Sequence, residues 1–319
     1  MLETDIKKLT DPSQKLTHKL LRSLASLEGE GLAAVKAAWP AIAAARRRQI
    51  TAALVEMAED DVELDFVDLF RILLDDADAT VRASAVSGLW ETDDQSLIDP
   101  LLRLLQSDPS ADVRASAAES LGHFVAEVAD DGRRTSRAKR LLAGLLEAFH
   151  DTRPPSSELV RRRALESLAG FGDDPLVVAA INEAFSGASQ PLRAGALSAM
   201  GNTFDARWNP IIVQHLSSPE AELRFEAARA AGDLMIEDAV PTLVAMTKDL
   251  DEEVQQMAIW ALGEIGGLQA KATLTTLLES HSEGVRDAAE EALADLRFNE
   301  NPLDFSDMLG DSAHHGKKN

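Results

Sequence analysis

A chain of 319 residues, 45% of them hydrophobic, can bury a sizeable core either as two average domains or as one extended array. Aromatic residues make up only 4%, and Tyr and Cys are absent, so the core must rest on Ala, Leu and Val, while disulfides, cysteine metal sites and thiol nucleophiles are excluded. The net charge of -22 opposes binding to nucleic acid or an anionic membrane and favours a cationic partner.

From the N-terminus, Met1 to Leu9 alternates charged and apolar residues and lacks a secretory hydrophobic segment. No uncharged apolar run approaches the roughly 20 residues of a membrane span. A soluble cytoplasmic protein is the expectation. Asp11-Pro12 reads as a helix start, and Leu16, Leu20, Leu24 and Leu27 form an apolar stripe. Gly29 and Gly31 are expected to break it, and a second helix is predicted from about Pro40 to Glu59, with Arg47, Ile50 and Leu54 close to the register of the repeat that begins at Val81. Residues 1–59 are therefore expected to be an irregular cap.

From Val81 one pattern recurs: a branched apolar residue, usually with Arg next to it, an Ala four residues on and an apolar residue eight on. It runs Val81-Arg82 (Ala85, Leu89), Val113-Arg114 (Ala117, Leu121), Val160-Arg161 (Ala164, Leu168) and Leu192-Arg193 (Ala196, Met200). It continues as Leu223-Arg224 (Ala227, Ala231), Val254-Gln255 (Ala258, Leu262) and Val285-Arg286 (Ala289, Leu293). Successive starts lie 32, 47, 32, 31, 31 and 31 residues apart. Such spacing puts the three positions on one helix face, where Ala lets a neighbouring helix come close. Gly122, Gly201, Gly232 and Gly263 come directly after the pattern and are predicted as left-handed helix caps. Pro100, Pro210 and Pro241, each 13 residues before a start, open a second apolar segment at a position where proline is tolerated. Each repeat is thus predicted to be two antiparallel helices.

The 47-residue interval holds an insertion near 125–157: a loop at Asp130-Asp131-Gly132, a helix from about Ser136 to His150, and a stiff loop around Pro154-Pro155. Residues 131–163 carry nine basic and four acidic side chains, whereas 216–311 carry 21 acidic and six basic ones. This polarity fits a monomer or weak head-to-tail self-association. After Asn301-Pro302 the composition is that of a flexible tail, 299–319. Within it Phe305, Met308 and Leu309 have i, i+3, i+4 spacing, suited to a short helix that caps the last repeat or docks in a groove.

Segments such as Asp108 to Arg114, and Val254 to Gly263 with Glu264-Ile265-Gly266 after it, resemble the short HEAT-like repeat first noted in phycobiliprotein lyases. The resemblance spans about residues 60–297. It implies an all-α, right-handed α-solenoid of about seven helical hairpins after the N-terminal cap, with 1–298 as a single domain. A non-catalytic scaffold binding a protein or peptide is the leading expectation, a bilin-lyase-like accessory role the alternative.

The residues of catalysis are missing from the sequence. No Gly-x-Ser-x-Gly, P-loop or dinucleotide fingerprint appears. The deoxyhypusine hydroxylases, which share this repeat type, bind iron through His-Glu pairs, and no His-Glu dipeptide occurs here. Glu147 precedes His150 by three residues, a weak ligand pair, and acidic doublets such as Asp75-Asp76 and Asp93-Asp94 lack a calcium-loop pattern. No cofactor or metal is expected. The ladder Arg82, Arg114, Arg161, Arg193, Arg224 and Arg286 is assigned a structural role, with Asp78 and Asp112 placed as partners. Positions two and six after each start should face away from the packed stripe, on the concave side. There Phe225 and Trp260 depart from the small and polar residues of other repeats, and Arg229 is placed to stack on Trp260. These three form the predicted partner-binding patch.

Overall fold

The computed structural model describes residues 2–90, 92–130, 135–153 and 157–300, and the tail positions Phe305, Met308 and Leu309 lie outside them. Among the described residues the regular structure is entirely helical. In chain order the helices are α1 (Leu2–Thr10), α2 (His18–Arg22), α3 (Gly29–Ala38), α4 (Ala44–Asp60), α5 (Val67–Leu73), α6 (Ala79–Ser87), α7 (Ile98–Ser107), α8 (Ala111–Asp130) and α9 (Ser136–Phe149). They continue as α10 (Ser157–Leu168), α11 (Pro175–Ser186), α12 (Gln190–Asn202), α13 (Asn209–His215), α14 (Ala221–Asp233), α15 (Val240–Met246), α16 (Glu252–Ile265), α17 (Gly267–Leu277) and α18 (Glu283–Glu300). None of them is long and apolar enough to cross a membrane.

The chain divides into two compact units, Met1–Phe171 and Gly172–Asn319. In the first, α5 pairs with α6, α7 with α8 and α9 with α10, while the second helices α4, α6, α8 and α10 pack in succession. The second unit repeats the plan: α11 with α12, α13 with α14, α15 with α16 and α17 with α18, and α12, α14, α16 and α18 stand side by side. This is a solenoid arrangement of helical hairpins. Every residue of the recurring triplets, from Val81 to Leu293, is buried, none more than 5% exposed. At about 25 cal/mol per Å² of apolar surface, this alternation of Leu or Val with Ala is the main source of stability. The predicted helix after the insertion loop is also present, as α9.

The four glycines do not cap helices. Gly122, Gly201, Gly232 and Gly263 lie inside α8, α12, α14 and α16, and none has a positive φ. Their function is close approach: a Cβ on Gly201 would stand 2.9 Å from Ala230 Cα, and one on Gly263 would stand 2.9 Å from Ala292 Cβ. Three residues later the chain does turn left-handed, at Phe204 (φ 52°), Met235 (φ 47°) and Gly266 (φ 69°). Glycine sits where two helices touch, and after Gly201, Gly232 and Gly263 the terminating turn is left to the third residue on, whereas α8 runs past Gly122 to Asp130.

The N-terminal cap also differs from its expected form. Of the stripe from Leu16 only Leu20 lies in the short α2, which is capped by Thr17 Oγ1 accepting from Leu20 N at 3.3 Å, while Leu16, Leu24 and Leu27 lie outside it. Gly29 and Gly31 do not break a helix but lie in the first turn of α3. The preceding α1 is closed by Arg46, whose guanidinium donates to the carbonyls of Leu9 (2.6 Å), Lys8 (3.0 Å) and Gln14 (2.9 Å). The Lys8 and Leu9 carbonyls, in the last turn of α1, would otherwise lack an intrahelical partner.

Candidate functional site

Arginines of the ladder reach acids other than Asp78 and Asp112. Arg82 forks onto Asp108, Nε to Oδ2 and Nη2 to Oδ1, each 2.8 Å, and Arg224 forks onto Asp249 in the same way, again at 2.8 Å. Arg47 meets Asp76 at 2.9 Å, Arg114 meets Asp151 at 3.8 Å and Arg193 meets Glu220 at 3.7 Å. The acid in each case stands in the connection between the two helices of the next repeat. The same arginines also satisfy a backbone carbonyl six residues back, as Arg82 does at Asp76, Arg114 at Asp108, Arg224 at Ser218 and Arg286 at Ser280. Arg161 donates to the Phe149 carbonyl at 2.7 Å and lies over that ring at 5.3 Å. Asp78 is occupied otherwise, as the cap of α6 and as the partner of Arg48 at 2.9 Å. Two planar forks with matched geometry bind strongly and commit these guanidinium edges to protein carboxylates rather than to an external anion.

On the faces of α14, α16 and α18 turned away from the buried stripe, Phe225 and Trp260 open onto one cleft of about 270 Å³. Met257, Ala288 and Ala292 complete its apolar wall, and Glu253, Gln256 and Glu291 form its polar edge. Phe225, Met257 and Trp260 are half-buried, Glu253 and Glu291 exposed. One edge of the Trp260 ring rests against Gly232, where a Cβ would lie 2.6 Å from Cζ3.

Arg229, the third expected member of the patch, turns elsewhere. Its Nη2 pairs with Glu226 at 2.8 Å and donates to Ser198 Oγ. Glu226 is buried, only 6% exposed, so its charge requires this partner more than the indole does. Among the described residues the one cation–π contact is that of Arg161 on Phe149, and Arg229 does not line the cleft.

Three carboxylates in a common register stand on the same helices. Asp233, Glu264 and Asp295 each fall ten residues after a start, Leu223, Val254 and Val285. None forms an ion pair among the described residues. Burial pushes the Asp233 carboxyl above the ordinary carboxylate range, against a smaller opposing pull from Arg229. Glu264 is also raised, first by burial and then by its neighbours Asp295 and Asp233.

Four arginines of the basic stretch 131–163 are, by contrast, paired within their own unit. Arg140 pairs with Asp99 at 2.9 Å, Arg153 with Asp151 at 2.8 Å, Arg162 with Glu166 at 2.8 Å and Arg163 with Glu119 at 3.6 Å. One further group escapes a reading of the sequence. Asp93, His123 and Glu127 bring their ligand-type atoms within 4.8 Å of one another, with His123 Nε2 hydrogen-bonded to Asp93 Oδ1 at 3.3 Å. The signal for it is the i, i+4 spacing of His123 and Glu127 on α8. His150, singled out for its spacing from Glu147, instead bonds Leu146 O through Nδ1 at 2.8 Å.

The model of HEAT repeats matches residues 67–155 and 209–294, more than half of the chain. A comparison with curated proteins found no match. Among solved structures, that of Kap95p bound to RanGDP aligns over 93% of this chain and 46% of the other, with a TM-score of 0.51 and 13% identity. The complex of CpcE and CpcF of phycocyanin lyase from Nostoc sp. PCC7120 aligns over 72% of this chain and 93% of the other (TM-score 0.49, 21% identity). Human deoxyhypusine hydroxylase aligns over 93% and 96%, with a TM-score of 0.36 and 21% identity.

Proposed function

The chain belongs to the HEAT-repeat family, and from that premise we propose that it is a non-catalytic scaffold that binds a protein or peptide on the exposed face of α14, α16 and α18. One observation carries the reading: Phe225 and Trp260, from neighbouring repeats, open onto the same apolar cleft. A solenoid helix needs large apolar groups on its packed face only, and the packed face here is already filled by Leu223, Ala227, Ala231, Val254, Ala258 and Leu262. Paired aromatics outside that face are what a binding hot spot supplies: rigid area at low cost in side-chain entropy. Arg229 supports the patch indirectly, by anchoring α14 to Ser198 of α12 while pairing with Glu226 of its own helix. The chromophore-lyase reading rests on repeat likeness and names no residue of this chain.

The test is removal of the two rings. Phe225→Ala with Trp260→Ala should keep the helical circular-dichroism spectrum and lose recovery of the partner in affinity capture from the native cell. Unchanged recovery contradicts the assignment.

A further inference from the structure

The cleft is apolar inside and acidic around. Glu253 and Glu291 are exposed at its edge, and Asp233, Glu264 and Asp295 form a row across the same three helices, one carboxylate per repeat. Three other acids of the second unit are matched, Glu220 by Arg193, Glu226 by Arg229 and Asp249 by Arg224. The row has no such cation among the described residues. Two of its members are also held where their charge is disfavoured, Asp233 by burial and Glu264 by burial and by its two neighbours. Asp233 and Glu264 sit in the last turns of α14 and α16, where the helix dipole further opposes a negative charge. An unneutralised row of this kind lowers the stability of the free protein and gains most from a cation supplied from outside.

The spacing decides what kind of cation. Among the described residues only Asp93, His123 and Glu127 bring three ligand-type atoms within 4.8 Å of one another, so the row is not gathered around one metal ion. A chain carrying several positive side chains can reach all three. Resting on the reading of the cleft as the partner site, we propose that its occupant is a cationic amphipathic peptide segment of another protein. One large apolar side chain enters between Phe225 and Trp260, and Lys or Arg side chains meet Glu253, Glu291 and the Asp233–Glu264–Asp295 row. The chain's own basic stretch is a poorer occupant, because Arg140, Arg153, Arg162 and Arg163 are already paired.

The experiment uses the full chain and two fluorescein-labelled 18-residue amphipathic peptides, one of leucine and lysine, the other of leucine and glutamate, read by fluorescence anisotropy. The lysine peptide should bind and the glutamate peptide should not. Neutralising the row (Asp233→Asn, Glu264→Gln, Asp295→Asn) should weaken binding about 10-fold, at about two-fold for each exposed pair. A control of equal charge change on other exposed acids (Glu237→Gln, Asp238→Asn, Glu290→Gln) should stay within about two-fold of the parent. Equal weakening by the control reduces the effect to net charge and overturns the proposal. Phe225→Ala separates the two readings. If it abolishes binding while the row variant does not weaken it, the cleft stands and the cationic class falls. If the row variant weakens binding and Phe225→Ala leaves it unchanged, the cleft falls. If neither matters, both fall. Circular dichroism on each variant confirms that it is folded.

Discussion

Gly232 on α14 faces Trp260 on α16 so closely that a methyl group at Gly232 would stand 2.6 Å from Cζ3 of the indole and 3.1 Å from the Cα of Ala261. The glycine therefore does two things at once. It lets two second helices pack at short range, and it leaves room for one edge of the Trp260 ring, which lines the cleft together with Phe225. Packing and the candidate site share one residue.

Gly232→Ala should therefore cost both. The backbone at Ala261 cannot give way as a flexible side chain would, so overpacking is expected to destabilise the protein by about 1–3 kcal/mol. The tilted indole should also weaken partner binding. Thermal or urea denaturation measures the first effect, and an unchanged midpoint would show that the helices are not in tight contact there.

Removing one rung of the arginine ladder should be more damaging than its surface position suggests. Arg224→Ala strips the fork from Asp249, whose side chain is only 11% exposed, and leaves a nearly buried carboxylate unpaired. A loss of about 3 kcal/mol is expected. The Arg224 hydrogen bonds hold the Asp249 carboxyl below the ordinary carboxylate range. A folded-state value below the unfolded one means the stabilisation is present above the ordinary range and is lost as pH falls through the depressed value. The gap between wild type and Arg224→Ala in denaturant titrations should be widest at neutral pH and close in acid.

Asp233 and Glu264 should behave in the opposite sense. Their values are raised, so the folded state binds protons more tightly than the unfolded state, and stability falls as pH rises through the window between the two. Asp233→Asn with Glu264→Gln should raise the melting temperature at neutral pH. The gain should vanish below the ordinary carboxylate range, where the wild-type groups are also neutral. A gain of the same size at both pH values would mean that the charge is not responsible.

The repeat itself was legible from residues because the buried stripe repeats one chemistry, a branched apolar residue and an Ala, at a fixed interval. Burial of Val113, Ala117 and Leu121, or of Val254, Ala258 and Leu262, is the direct consequence of that pattern. What depended on neighbours was not legible. Gly263 near the end of a helix looks like a cap until Ala292 is seen against it. Asp112 is two residues from Arg114, yet the guanidinium reaches across to Asp151 in the next repeat. Of the candidate site, Phe225 and Trp260 stand out in the sequence by their register and line one cleft, while Arg229 is drawn away by the buried Glu226. Met257 and the carboxylate row also have readable registers, three and ten residues after their starts. Their meaning, though, comes from the cleft they frame.

The most direct test is photo-crosslinking from inside the cleft. A photo-reactive amino acid at Gln256, which lines the cleft, is compared with the same residue at Glu290, which does not. The account predicts a discrete adduct with a partner protein from position 256 alone, and its disappearance when Phe225→Ala is added. Adducts of equal yield from both positions, or an adduct from 256 that survives Phe225→Ala, would contradict it.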